Sequence, residues 1–91
     1  MTDPDDDGER EQFSVAVFYP DGSHAYAERW IDGLAAVRRF RRLVESPAAG
    51  AGFIVRVIVT DGGDFTTMEW RFGLGYTYPP ELVARTAGPR Q

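Results

Sequence analysis

Residues 53–72 read FIVRVIVTDGGDFTTMEWRF, and the period of that stretch decides the fold. Val55, Val57 and Val59 alternate with Ile54, Arg56, Ile58 and Thr60, the two-residue period of a strand with one buried face. Asp61-Gly62-Gly63-Asp64 then supplies a hairpin turn, because glycine takes the positive φ that tight loops require. Pairing across Gly62-Gly63 sets Arg56 opposite Glu69, Ile58 opposite Thr67, Val57 opposite Met68 and Val55 opposite Trp70, so charge meets charge and apolar meets apolar. The register predicts Val55, Val57, Val59, Met68, Trp70 and Phe72 toward the core. Arg56, Thr67, Glu69 and Arg71 point outward, with Ile54, Ile58 and Phe65 beside them.

A second hairpin signature lies upstream. Phe13, Val15, Val17 and Tyr19 alternate with Ser14, Ala16 and Phe18, and Pro20-Asp21-Gly22-Ser23 turns the chain. With Asp21-Gly22 as the loop, Val17 faces Tyr26, Val15 faces Glu28 and Phe13 faces Trp30. That register favours Phe13, Val15, Val17, Tyr19, Tyr26 and Trp30 as the core face, against Ser14, Ala16, Phe18, Ala25, Ala27 and Arg29, smaller on average, on the other. Between the hairpins, Asp32 is a helix N-cap. Leu34, Val37, Phe40, Leu43 and Val44 follow at helical spacing, widened by Ala36. Pro47 ends the helix near Glu45 or Ser46, and residues 48–52 read as a connection. Residues 73–80 carry too many glycines and prolines for a central strand and read as an ordered loop or a short edge segment, followed by one helical turn over 81–86. The whole predicts an α+β fold: ββαββ, a four-stranded antiparallel sheet with one helix packed on one face, the order of the hairpins left open.

A chain of 91 residues, 43% apolar, has room for one domain and one modest core. The net charge of -4 is not uniform: residues 1–11 hold Asp3, Asp5, Asp6, Asp7, Glu9 and Glu11 against Arg10, so the remainder is near +1. Residues 1–11 are expected to be a disordered acidic tail, 12–87 a single α+β domain and 88–91 a frayed end. The tail serves solubility or, in a sharper role, folds back over the arginines as an intramolecular mimic of an anionic ligand. Cysteine is absent, which removes disulfides and thiolate chemistry. An acidic polar start and the lack of a long apolar run point to a cytoplasmic protein without membrane association.

No motif for catalysis is laid over this frame. His24, Tyr26 and Glu28 alternate on one strand, but four residues of strand rise separate His24 from Glu28 by about 13 Å, too far to share a proton or a metal. Asp61, Asp64 and Asp21 flank turns and are explained by turn formation without an ion. No cofactor, metal or catalytic residue is therefore expected, and the reading leans away from an enzyme. Two surfaces remain. Arg38, Arg41 and Arg42 face solvent on the helix, with Arg39 along its margin, and can bind phosphates or acidic groups. The outward face of the second hairpin, Ile54, Arg56, Ile58, Thr67, Glu69 and Arg71, together with Tyr76 and Tyr78, has the mixture of apolar, aromatic and paired charged groups found in protein interfaces. The expectation is a non-enzymatic interaction or accessory domain that binds a second copy of itself or another protein. The alternative is a nucleic-acid-binding module using the helix arginines.

Overall fold

The computed structural model describes residues 12–62 and 65–80. The expected acidic tail, the helical turn over 81–86, the frayed end and the last residues of the 12–87 domain lie outside the described residues. Within them the fold is α+β, with strands β1 (Phe13–Phe18), β2 (His24–Ile31), β3 (Arg56–Asp61), β4 (Phe65–Arg71) and β5 (Gly75–Tyr78), and helices α1 (Gly33–Val44) and α2 (Pro47–Gly50) between β2 and β3. The sheet is antiparallel in the order β2-β1-β3-β4-β5. The expected four strands become five, because residues 75–78 pair with β4 as an edge strand. An edge is where glycine and proline are tolerated, since one side of the strand makes no ladder.

The two hairpins join through β1 and β3, the most buried strands, which puts Val15 opposite Val59 and Val17 opposite Val57 at the sheet centre. The second hairpin is offset from its expected register by two residues: Arg56 pairs with Arg71, Ile58 with Glu69, Val57 with Trp70 and Val59 with Met68, and the ladder closes at Asp61 and Phe65 after an irregularity beyond Val59. An even offset leaves Val57, Val59, Met68 and Trp70 on the core side and Arg56, Glu69 and Arg71 outward as expected, but Phe72, expected toward the core, is half exposed and Ile54, expected outward, is buried. The first hairpin holds the expected Val15–Glu28 pair but slips on both sides of it, to Ala16–Tyr26 and Phe13–Ile31. These slips send Tyr26 to the face opposite the core. They also leave Trp30 as an extra residue at φ 58, half exposed, with its amide donating to the buried Ser14 Oγ. Its turn is longer than two residues: Phe18 pairs with His24, and the Asp21 carboxylate accepts from the Ser23 amide (2.9 Å) and hydroxyl (2.6 Å). Those Ser23 bonds hold the Asp21 carboxyl below its ordinary range.

Asp32 caps α1 as expected, accepting from the Ala35 amide at 2.7 Å. The buried stripe is rotated from the expected one: Ala36 and Phe40 are buried and Leu43 and Val44 flank them, whereas Leu34 is exposed. Residues 47–50, expected as irregular connection, form a helical turn. Ser46 accepts from the Ala49 amide (3.2 Å) and donates to the Leu43 carbonyl (2.7 Å), and Pro47 occupies the first turn, where a missing N–H costs nothing. Both helices lie on the face of Val15, Val17, Val57 and Val59, where Phe40, Ala36, Ala49 and Ile54 complete the core with Met68, Trp70 and Tyr76 packed around it. Full burial of Phe40 alone is worth about 2–3 kcal/mol. No described element covers the opposite face.

Candidate functional site

The open sheet face is organised around Glu69. On β4 its Oε2 accepts from Arg56 Nε on β3 and from Arg71 Nε at 3.1 Å, and its Oε1 accepts from the Thr77 hydroxyl on β5 at 2.7 Å. The two-residue offset makes Arg56 a diagonal neighbour of Glu69 instead of the directly opposed partner, a span that a long guanidinium side chain covers. Burial pushes the Glu69 carboxyl upward, but the Thr77 hydroxyl and the Arg56 and Arg71 guanidinium groups more than offset it and hold it below the ordinary carboxylate range. The carboxylate thus stays charged and locks three strands in one arrangement. Arg56, Thr66, Glu69, Arg71, Thr77 and Tyr78 line a shallow cleft of about 270 Å³ here.

Toward the other edge the same face turns aromatic. Phe18 stacks on His24 at 5.2 Å, His24 meets Tyr26 edge-on at 6.1 Å, and the Arg56 guanidinium lies 4.8 Å from the Phe18 ring centre. Arg29 sits 4.1 Å over Tyr26 and 5.1 Å from the Trp30 ring. Ser14, Ala16 and Thr60 are buried along the middle, whereas Tyr26, Trp30 and Tyr78 are exposed. Guanidinium groups held over rings present flat, amphipathic contact area with little left to order on binding.

Of the expected surface, Arg56, Ile58, Glu69, Arg71 and Tyr78 come together on this face. Thr67 sits in the β4 irregularity, its hydroxyl donating to the Val59 carbonyl at 3.1 Å. Ile54 and Tyr76 are placed elsewhere. Strand β3 begins only at Arg56, and the turn of α2 carries Ile54 into the core. Tyr76, paired with Trp70, packs on the helix side 6.0 Å from the Phe40 ring. Arg29 is on this face as expected, whereas Tyr26 and Trp30 were expected on the core face; the irregularities in β2 moved them, and alternation alone carries no signal for a bulge. Phe72, expected toward the core, lies half exposed against Gly52, and Phe53 and Leu74 are also exposed.

The arginine helix has its own groove. Arg38, Arg39 and Arg42 of α1, with Ala35, face Glu28 and Ile31 of β2 across a cleft of about 250 Å³. Arg38, Arg41 and Arg42 are exposed, and Arg39 lies along the margin with its Nε 3.7 Å from Glu28 Oε2. That Nε is buried without a hydrogen-bond partner among the described residues. Glu28 keeps its expected pairing with Val15 and so stays on the helix side, whereas His24 and Tyr26, expected on the same face as Glu28, are carried to the opposite one by the β2 slip. His24 is exposed, between the Phe18 and Tyr26 rings, and makes no ion pair among the described residues. Among the described residues no group of three histidine, aspartate or glutamate side chains converges as metal ligands would, and no helix is long and apolar enough to cross a membrane. No family model matches the chain, and neither the curated proteins nor the solved structures contain a match to it.

Proposed function

We propose that this protein is a non-enzymatic interaction domain whose open sheet face docks a second copy of the same chain. The observation that supports it is the sheet face built on Phe18, Tyr26, Ile58 and Tyr78, with guanidinium groups over its rings, left without a described layer while both helices pack the other side. Five strands at about 4.8 Å by six residues at about 3.3 Å give a patch of roughly 24 by 20 Å. Two such patches in two-fold contact bury about 1,000 Å², the lower limit for a specific interface, so the dimer is a weak one with a dissociation constant in the micromolar range. An isologous pairing brings each aromatic edge against the Glu69–arginine cluster of the partner, apolar and cation–π contacts replacing water.

Sedimentation across a concentration series tests the reading. The mass should rise from one chain toward two over the micromolar range, and Ile58→Glu, which places an unpaired carboxylate at the middle of the patch, should hold it at one chain while leaving the far-ultraviolet spectrum intact. A wild-type mass of one chain throughout, or an association unaffected by Ile58→Glu, refutes it. The second reading, nucleic-acid binding, is supported by the exposed Arg38, Arg41 and Arg42 on one helix face. It requires an oligonucleotide affinity that falls steeply with salt and is lost when these three are neutralised.

A further inference from the structure

The groove between α1 and β2 is a binding site for an acidic segment, and we infer that its occupant is residues 1–11 of the same chain. The groove concentrates positive charge: Arg38, Arg39 and Arg42 line it, and of these three only Arg39 has a carboxylate within salt-bridge reach among the described residues. That contact is long, and the Arg39 Nε is buried without a hydrogen-bond partner among the described residues. A guanidinium in this state gains more from a further carboxylate oxygen than one already solvated.

The position of the chain entry selects the occupant. Phe13 pairs with Ile31, which lines the groove, and the Phe13 ring lies against Gly33, the first residue of α1, leaving only 3.3 Å for a Cβ there. Residues 1–11 therefore join the domain at the mouth of the groove. From Gly33 to Arg42 the helix rises about 14 Å. Eleven residues extend to at most about 36–40 Å, enough to reverse direction and still lay Asp3, Asp5, Asp6 and Asp7 beside Arg38, Arg39 and Arg42. Six acids against one base make the segment complementary to the groove. Tethering gives it an effective concentration in the millimolar range, which an untethered acidic partner or polynucleotide has to overcome. The segment thereby also screens the helix from other polyanions.

The natural absence of cysteine allows a single site-directed label. A nitroxide on Thr2→Cys in the full chain, with ¹⁵N detection, should broaden the amides of Arg38, Arg39 and Arg42 more than those of β5 at low salt. The broadening should vanish at 0.5 M salt and in an Arg38→Gln/Arg42→Gln variant. Broadening that is uniform over the domain, or that survives in the arginine variant, overturns the inference. Mixing a spin-labelled ¹⁴N chain with an unlabelled ¹⁵N chain separates the intrachain contact from one between copies: effects on Arg38–Arg42 of equal size in the mixture overturn it. Loss of dimerisation by itself leaves this pattern unchanged, so the two proposals fail by different signs.

Discussion

Replacing Glu69 by glutamine removes the charge at the hub of the open face while keeping its shape. The glutamine carbonyl can still accept from the Thr77 hydroxyl, but its amide cannot accept from Arg56 or Arg71, and two guanidinium groups are left side by side. Glu69 is 13% exposed, whereas Arg56 and Arg71 are 32% and 49% exposed, so water recovers part of what the arginines lose. The Arg56 bond, charge-assisted and part-buried, is worth about 1.5 kcal/mol, and the half-exposed Arg71 bond about 0.5 kcal/mol. The sum, about 2 kcal/mol, corresponds to roughly 10 °C in Tm for a domain of this size. The assay is urea unfolding of Glu69→Gln, Arg56→Gln and the double variant at a concentration low enough to keep the chain single. A coupling energy of about 1 kcal/mol or more between Arg56 and Glu69 is expected. The pH dependence gives an independent check. Because the folded carboxyl titrates below its unfolded value, its stabilisation is fully present above the unfolded pKa and is lost as the pH falls through the folded one. The difference in stability between wild type and Glu69→Gln should therefore shrink on acidification. A loss below about 0.5 kcal/mol at neutral pH, or a difference that does not change with acid, refutes the hub.

Phe40→Ala empties the centre of the only described core, where Phe40 is wholly buried, and should cost about 3–5 kcal/mol, enough to broaden or abolish the cooperative thermal transition. Retention of a wild-type transition would place the core elsewhere. Asp32→Ala removes the acceptor for the Ala35 amide and should cost about 1 kcal/mol, with Asp32→Asn retaining most of it. Equal losses in the two variants would show that the cap does not act through that hydrogen bond.

Much of this structure is legible in the sequence because alternation and helical period are strong signals here. The valines of β1 and β3 and the Asp32 cap identify two hairpins and a helix between them, and the parity of β3 and β4 assigns Arg56, Glu69 and Arg71 to one face. Pairing partners are less legible. A shift of two residues preserves every face, so the apparent match of Arg56 with Glu69 was reached by the wrong register; a guanidinium that bridges the diagonal satisfies both. The β2 irregularities leave no mark in the alternation, yet they move Tyr26 to the open face and separate it from Glu28, which keeps its place opposite Val15 on the helix side. Ile54 and Tyr76 escaped for a tertiary reason: α2 draws one into the core, and the edge pairing of β5 turns the other onto Phe40.

The open face as a self-interface is tested most directly by isotope-filtered nuclear Overhauser measurements on an equal mixture of ¹³C-labelled and unlabelled chains at millimolar concentration. Cross-peaks between chains from the Ile58 methyls and the rings of Tyr26 and Tyr78 are the predicted result. Cross-peaks confined to Phe53, Phe72 and Leu74, or none between chains at all, would contradict it.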